Sequence, residues 1–321
     1  MKIKVGIISG AGYTAGELIR LLINHPNVEI RFIHSSSNAG NKITDVHSGL
    51  IGETDLIFSD KHVFEKVDAL FLCSAHGDSK KFIAENNIPK HIKIIDLSAD
   101  YRNESDGFVY GLPELNKERI KKANRIANPG CFATAIQLAL LPLAASNLLK
   151  HEVQVNAITG STGAGVKLSS TTHFSWRDNN ISIYKPFEHQ HLEEINQSLN
   201  QLQKGFNHAV NFIPVRGNFS RGIYATAYIN CDLSLEEAKA LYTDFYKNAA
   251  FTFITDKNPD LKQVVNTNKC VLYLEKHANK ILIVSIIDNL LKGASGQALH
   301  NFNLMFGFDE KTGLQLKPSS F

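Results

Sequence analysis

The chain has 321 residues, a length that predicts two domains at roughly 150 residues per domain. Hydrophobic residues make up 43% of it and charged residues 20%, which is ordinary for a globular protein. The 34 basic and 31 acidic side chains give a net charge of +3 without a basic run, which argues against a protein dedicated to nucleic acids.

The cysteine pattern indicates a reducing compartment. The four cysteines lie far apart and form no CxxC pair, so we expect no disulfide framework, no structural zinc cluster and no other metal. The N-terminal segment lacks the features of a signal peptide, and no apolar run reaches the ~18 residues of a membrane span. We therefore expect a cytoplasmic protein with neither a membrane nor a nucleic-acid partner.

Strands and helices alternate in the first half of the chain. The apolar run Ile3–Ile8 meets a pair of glycines, and leucines at helical spacing follow. Further strands are predicted at Val28–His34, Ala69–Cys73 and Ile92–Leu97, each ending in small or polar residues. This alternation predicts an α/β domain of Rossmann type, a parallel sheet wound by helices.

After residue 150 the pattern changes to long strands with few helices. We predict strands at Val153–Thr159, Ala225–Asn230, Leu272–Leu274 and Lys280–Ile287, and a helix at Glu236–Asn248. This favours an α+β second domain built on a mixed sheet. Because the helical tail Ala298–Met305 is expected to pack back on the first domain, the predicted domains are 1–147 with 295–321, and 148–294.

A glycine motif between the first strand and the first helix points to a dinucleotide. Residues Gly10, Gly12, Tyr13, Thr14 and Ala15 fit the pattern G-x-G-x-x-G/A. In that pattern the glycines permit a tight turn close to a pyrophosphate, and the helix N-terminus presents free N–H groups to it. Glycines also end strands for purely structural reasons. The prediction of dinucleotide binding therefore depends on the position of the motif between the first strand and the first helix.

The end of the second strand favours NADP(H) as the cofactor. NAD sites usually carry an acidic residue here to bind the ribose 2′-hydroxyl. This chain instead has Ser35, Ser36 and Ser37, with Lys42 nearby and no acid before Asp45. Hydroxyl groups and a cation suit a 2′-phosphate.

Cys131 is the candidate nucleophile because it directly precedes a long apolar helical stretch. A helix N-terminus stabilises a thiolate, and the thiolate is the form that attacks a carbonyl carbon. Cys73, Cys231 and Cys270 lie in or beside apolar strands and are interpreted as buried hydrophobic residues. From these residues alone, Cys131 could equally be a packed cysteine at a helix start.

Two neighbouring histidines, His189 and His191, are candidates for proton transfer. The H-x-H spacing also suits a metal, but no third ligand is evident. His76 follows a predicted strand at the ligand edge of the sheet and could contact the cofactor. Residue patterns alone do not connect His189 to Cys131, which lies 58 positions earlier.

Ordered motifs along nearly the whole chain resemble those of the N-acetyl-gamma-glutamyl-phosphate reductases, relatives of aspartate-semialdehyde dehydrogenase. The motifs are GYTAGEL (12–18), DLSADYR (96–102), YGLPEL (110–115), NPGCFATA (128–135), GSTGAG (160–165), EHQHLEEI (188–195), RGIYAT (221–226) and IDNLLKGASGQALHNFNLMFG (287–307).

This resemblance implies an oxidoreductase of arginine biosynthesis. NADPH would reduce N-acetyl-gamma-glutamyl phosphate to N-acetylglutamate semialdehyde through a Cys131 thioester, with release of phosphate. One of the two histidines would be the acid–base residue, and His189 is favoured. The resemblance also implies that the first domain binds NADP(H), and that the second binds substrate and forms a homodimer or homotetramer.

The resemblance assigns further residues to the site by position. Arg102 and Arg221 would bind the anionic groups of the substrate, together with Asn128. Gly163 and Asn289 would lie on the nicotinamide side of the cofactor. Ser74 and His76 would lie on its ribose side.

Three departures from the family pattern concern the phosphate turn and the region where the resemblance places the N-acylglutamyl group. The family reads G-A-S-G-Y-T-G where this chain reads S-G-A-G-Y-T-A-G from Ser9, so its glycines are displaced. The family's H-R-H-x-P-E-I is here H-Q-H-L-E-E-I from His189, and the segment 211–220 carries an extra Arg216. The last two changes leave N-acetyl and N-succinyl substrates both open.

Other functions are less well supported. The YGLPEL and H-x-H motifs argue against aspartate-semialdehyde dehydrogenase itself. A short-chain dehydrogenase needs Tyr-x-x-x-Lys, which no tyrosine here provides. A non-catalytic dinucleotide sensor would not need Cys131 and a histidine together.

Overall fold

The computed structural model describes residues 2–319, so residues 1, 320 and 321, at the ends of the expected domain ranges, lie outside its described part. The chain forms two compact units. The first covers residues 2–129 and Ala294–Gln315, and the second covers Gly130–Gly293 and residues 316–319.

This division differs from the expected ranges in two places. The helix that starts at Cys131 belongs to the second unit, because its apolar side chains pack on that unit's sheet and helices. Residues 316–319 also belong to the second unit, where the Asn266 amide donates to the Lys317 carbonyl oxygen at 3.3 Å.

The first unit is built on a parallel sheet. Its strands are β1 (Ile3–Ile8), β2 (Val28–Ile33), β3 (Ala69–Leu72), β4 (Lys93–Asp96), β5 (Val109–Tyr110) and β6 (Arg125–Ala127). They lie in the order β2-β1-β3-β4-β6-β5, and each neighbouring pair is parallel. Because the chain reverses direction across the sheet after β2, the carboxyl ends of β1 and β3 form the switch point at which such sheets bind ligands.

Helices connect these strands. They are α1 (Tyr13–Leu22), α2 (Ile43–Val46), α3 (Asp78–Glu85) and α4 (Pro113–Lys122). In α1 the predicted apolar positions are buried, including Leu18, Leu21 and Leu22. The α/β prediction for this part of the chain is confirmed.

The second unit is built on a mixed sheet. Its strands are β7 (Val153–Thr159), β8 (Ser182–Ile183), β9 (Val210–Arg216), β10 (Ile223–Asn230), β11 (Thr252–Thr255), β12 (Cys270–His277) and β13 (Lys280–Ile287). They lie in the order β11-β12-β13-β10-β7-β9-β8. Two of the neighbouring pairs, β11 with β12 and β7 with β9, are parallel, and the others are antiparallel.

Helices cover one face of this sheet. The helices of the unit are α5 (Cys131–Ala145), α6 (Phe174–Arg177), α7 (His191–Leu202) and α8 (Leu235–Tyr246). Because α5 packs against β10 and β13 as well as α7 and α8, it is apolar and buried around nearly its whole circumference.

Pro142 lies inside α5 and lacks the N–H that would bind the carbonyl oxygen of Leu138. The Tyr246 hydroxyl of α8 donates to that oxygen at 2.6 Å, so the buried carbonyl keeps a partner.

The last helix, α9 (Gly296–Phe306), returns to the first unit and packs against α1 and α4, as the sequence predicted. It ends at Gly307, which takes the left-handed conformation common at helix ends. Within residues 2–319, no helix is both long and apolar enough to cross a bilayer.

Candidate active site

Cys131 is the first residue of α5, at the position that the sequence predicted. Gly130 precedes it as the N-cap in an extended conformation and provides no capping side chain. The N–H groups of the first helical turn therefore face the region of the thiol, together with the positive end of the helix dipole. The thiol is partly exposed. This setting favours the thiolate form.

The backbone of Gly293 contacts the start of α5. A Cβ atom built on Gly293 would lie 2.7 Å from the Cβ of Cys131 and 3.1 Å from its Cα. The Gly293 N–H donates to the Asp288 carbonyl oxygen at 2.9 Å, which holds the segment in place. Only glycine fits here without displacing the nucleophile.

A buried carboxylate connects the turn before Cys131 to helix α7. Glu194 accepts a hydrogen bond from the Gly130 N–H at 2.9 Å. Its other oxygen lies 3.9 Å from Nε2 of His191. Glu194 therefore positions both the start of α5 and one of the two candidate histidines.

The two histidines lie together beside the residue that follows the nucleophile. Their ring centroids are 4.5 Å apart, and those of His189 and Phe132 are 5.5 Å apart. Both side chains are buried, with His189 at 4% exposure and His191 at 6%. The packing of α5 against α7 thus brings residues 58 positions apart into one region.

His189 is held in a defined neutral form. The backbone N–H of His191 donates to its Nδ1 at 3.2 Å, so the proton of the neutral ring lies on Nε2. Burial, with a smaller contribution from the charge of Lys185, lowers the pKa of His189 to about 4. Near neutral pH the ring is an uncharged hydrogen-bond donor at Nε2.

Tyr184 adds a phenol to this region, with its ring centroid 5.7 Å from that of His189. Burial raises the pKa of Tyr184, and the charge of Cys131 raises it further. The hydroxyl therefore stays protonated and can donate a hydrogen bond.

Two residues predicted for the nicotinamide side lie close together in the second unit. A Cβ atom on Gly163 would lie 3.9 Å from the amide nitrogen of Asn289. That nitrogen donates to the Thr162 hydroxyl at 3.0 Å, and the amide oxygen accepts from the Gly222 N–H at 2.7 Å. Asn289 thus joins three segments of the unit.

Arg221, predicted as an anion binder, forms a two-point ion pair inside the second unit. Its Nε and Nη2 donate to the two oxygens of Asp288 at 3.0 and 3.2 Å. Asp288 is fully buried and also accepts from backbone N–H groups, including that of Asn266. These contacts make Arg221 part of the support of the site.

Arg102 and Asn128, the other predicted substrate residues, lie in the first unit. The Arg102 guanidinium donates to the carbonyl oxygens of Asn128 and Leu97 at 2.9 and 3.1 Å. The Asn128 amide donates to the Ala294 carbonyl oxygen and accepts from Asn301. Both side chains are buried.

The glycine turn between β1 and α1 has the features of an anion site. Gly12 is the N-cap of α1, no side chain caps the helix, and its first turn carries no acid. Tyr13, Thr14 and Ala15 form that turn, with Tyr13 45% exposed. Ser9, where the family has glycine, takes a positive φ of 60°.

His47 supports the glycine turn, and the sequence did not indicate this role. Its Nε2 lies 2.8 Å from the Gly10 carbonyl oxygen, so as a donor it fixes the turn. A Cβ atom on Gly16 would lie 2.6 Å from Nδ1 of His47. The displaced glycine at position 16 therefore makes room for the histidine.

The remaining predicted cofactor residues follow strands at the same edge of the first sheet. Ser35 and Ser37 accept hydrogen bonds from Asn38 at 3.2 and 3.0 Å, and Ser36 lies between them. Ser74 follows β3, and its hydroxyl lies 3.1 Å from that of Ser9. His76 accepts the Ala99 N–H at Nδ1.

Comparison with known proteins covers both units. A family model for the NAD-binding domain of semialdehyde dehydrogenases matches residues 4–123, and one for their dimerisation domain matches residues 131–289. A solved aspartate semialdehyde dehydrogenase II from Vibrio cholerae covers 96% of this chain and 99% of its own, with a TM-score of 0.73 at 15% identity. Another from Candida albicans, described as solved with NADP, has a TM-score of 0.71. These likenesses show the fold.

Sequence relatives are much more similar. A protein of Parabacteroides distasonis named N-acetyl-gamma-glutamyl-phosphate reductase is 66% identical over 321 residues, covering 99% of this chain and all of the relative. One of the same name from Azobacteroides pseudotrichonymphae is 67% identical over the same share of both chains. The chain therefore belongs to the N-acetyl-gamma-glutamyl-phosphate reductase family of the semialdehyde dehydrogenases.

Proposed function

We propose that the protein reduces an N-acyl-gamma-glutamyl phosphate to the N-acylglutamate semialdehyde, with NADPH as reductant and release of inorganic phosphate. The N-acetyl compound, named in the relatives, is the first candidate, and the N-succinyl compound is the alternative. The observation that carries the proposal is that Glu194 of α7 bonds to the residue before Cys131 and lies beside His191, whose ring contacts that of His189.

The first step is attack of the Cys131 thiolate on the acyl carbon. The new carbon–sulfur bond forms as the carbonyl becomes a tetrahedral oxyanion, and its collapse breaks the bond to phosphate. N–H groups of the first turn of α5 are our candidates to stabilise that oxyanion. The product is a thioester on Cys131.

The first unit suits a dinucleotide by its own geometry. The uncapped start of α1 provides N–H groups for a pyrophosphate, and the serines after β2 provide hydroxyls for a 2′-phosphate. We propose Gly10–Ala15, Ser35–Ser37, Ser74 and His76 as the residues that bind NADP(H). When bound, NADPH supplies the hydride that reduces the thioester.

Negative charge develops on the carbonyl oxygen as the thioester is reduced. His189, neutral with its proton on Nε2, is our candidate to donate a hydrogen bond to that oxygen. The tetrahedral oxyanion collapses to the semialdehyde as its carbon–sulfur bond breaks, and Cys131 leaves as the thiolate, so the step takes up no net proton. We assign His191, beside Glu194, to holding the ring of His189 in place.

The reaction is tested most simply in reverse. N-acetyl- and N-succinyl-glutamate semialdehyde are supplied separately with NADP⁺, and NADPH formation is followed with and without inorganic phosphate. Phosphate-dependent NADPH formation with either compound supports the proposal, and the ratio of kcat/KM values identifies the acyl group. Activity with aspartate semialdehyde alone would overturn it.

We further propose a cytoplasmic homo-oligomer, dimer or tetramer, formed through the second unit. On β10 the residues facing away from α5 are Tyr224, Thr226, Tyr228 and Asn230, and Tyr228 is 37% exposed. An exposed aromatic face on a sheet is typical of an interface. Light scattering at micromolar concentration tests this, and a monomer would contradict it.

A further inference from the structure

Two arginines of the second unit lie next to the candidate active site. Arg216 is the last residue of β9, and its guanidinium carbon lies 4.3 Å from the ring centroid of Tyr184. Arg177 is the last residue of α6. Arg216 donates to the hydroxyl of Thr171, and the turn that carries Thr171 packs against α6, which places Arg177 near Arg216. Burial lowers the pKa of Arg177, and the charge of Arg216 lowers it further.

The pairing of β8 with β9 places Arg216 close to the candidate histidines. In the antiparallel ladder of β8 and β9, Ser182 lies opposite Arg216, and the Tyr184 N–H donates to the Pro214 carbonyl oxygen at 3.1 Å. Tyr184 thereby lies between Arg216 and His189.

Within residues 2–319, no carboxylate forms an ion pair with either arginine. Arg216 donates to the Thr171 hydroxyl at 3.2 Å, and the buried Nε of Arg177 has no hydrogen-bond partner in that range. By contrast, Arg221 is neutralised by Asp288. Adjacent like charges repel each other, and a buried guanidinium donor without an acceptor is costly. An anionic ligand would remove both costs.

We propose that Arg177 and Arg216 together bind a carboxylate of the substrate. A planar guanidinium matches a carboxylate at two points, and a pair of them encloses it. Arg216 is also one of the positions at which this chain departs from the family pattern. Because of those departures, the sequence did not decide between an N-acetyl and an N-succinyl group. The inference rests on the proposed function, since the ligand is the substrate of that reaction.

The carboxylate has two sources, the α-carboxylate that both substrates share and the terminal carboxylate that only an N-succinyl group carries. The variants Arg177→Met and Arg216→Met, singly and together, are assayed in reverse with both semialdehydes. Each single variant should raise the KM of the semialdehyde about 10- to 100-fold, the range for losing hydrogen bonds to a charged group. A rise with both compounds identifies the α-carboxylate, and a rise confined to the N-succinyl compound identifies the acyl chain.

The KM for inorganic phosphate and the affinity for NADP⁺ should stay unchanged in these variants. Arg216→Lys should recover part of the loss, because it restores the charge without the planar fork. The matched control Lys247→Met removes an exposed cation after α8 that pairs with Asp244, and it should leave every constant unchanged.

The proposal is overturned if the semialdehyde KM stays within twofold of wild type, or if the phosphate KM rises in its place. It is also overturned if the variants melt at a lower temperature than wild type but the protein that remains folded has the wild-type KM for the semialdehyde. Failure of the proposed function is a separate result, because the wild-type enzyme would then show no phosphate-dependent activity with either semialdehyde.

Discussion

Replacing Gly293 by alanine should displace the nucleophile by a defined amount. The added Cβ would lie 2.7 Å from the Cβ of Cys131, whereas ordinary contacts begin at 3.4 Å, so about 0.7 Å must be gained. The atoms concerned are the Cβ and Cα of Cys131, not the end of a flexible side chain. The start of α5 or the Gly293 segment therefore has to move.

A displacement of that size is large for catalysis. A misplacement of ~1 Å can cost about 100-fold in rate. We expect Gly293→Ala to lower kcat on the order of 10- to 100-fold, and to cost about 1–3 kcal/mol of stability from overpacking. NADP⁺ affinity should stay near the wild-type value, because the glycine turn lies in the first unit.

The assay is phosphate-dependent NADPH formation from the semialdehyde, with NADP⁺ affinity measured by fluorescence titration. Gly49→Ala is the matched control, since a Cβ there meets nothing within 4 Å, and it should behave as wild type. If folded Gly293→Ala keeps kcat within threefold of wild type, the close approach to Cys131 has no role in positioning the thiol.

Two further predictions concern single side chains. Gly16→Ala should push His47 away from the Gly10 carbonyl oxygen and so break the hydrogen bond that fixes the glycine turn. We expect the KM for NADPH to rise roughly 2- to 10-fold, the range for one lost hydrogen bond, while kcat is retained. An unchanged KM would show that His47 does not support the turn. The pKa of His189 is about 4 in the folded protein and an ordinary 6.5 in the unfolded chain. Between these two pH values the unfolded chain binds a proton that the folded protein does not, so the free energy of unfolding falls as the pH drops from 6.5 to 4. His189→Gln should reduce this loss of stability in thermal unfolding scans from pH 7 to pH 4. If stability falls with pH as steeply in the variant as in wild type, the lowered pKa of His189 is refuted.

Much of the fold follows from local patterns. The apolar runs Ile3–Ile8, Val153–Thr159 and Lys280–Ile287 are strands with the predicted bounds, because each is bounded by turn residues or charge. The start of a helix at Cys131 was also predictable, since an apolar stretch follows Pro129-Gly130.

Other elements were hidden by their composition. Strand β9 contains Pro214, which argues against a strand inside a sheet, yet its lack of an N–H is tolerated between β7 and the two-residue strand β8. Helix α7 begins at His191 in a motif that attracts attention for its chemistry, although Leu192, Ile195, Leu199 and Leu202 recur at helical spacing.

The support of the site could not be predicted, because it depends on contacts between distant positions. Glu194 reaches Gly130 across 64 residues, and Gly293 approaches Cys131 from the far end of the second unit's chain. The same holds for Arg177 and Arg216, which are brought near each other by the turn around Thr171. Sequence patterns identify residue types and local positions, whereas packing determines which of them meet.

The thioester on Cys131 is tested most directly by a single-turnover measurement. The wild-type protein is mixed with the active semialdehyde and NADP⁺ in the absence of phosphate, and NADPH is followed on the millisecond scale. The account predicts a burst of about one NADPH per chain, steady turnover once phosphate is added, and no burst from Cys131→Ser, which should still bind NADP⁺. A burst retained by Cys131→Ser, or its absence from the active wild-type enzyme, would contradict the account.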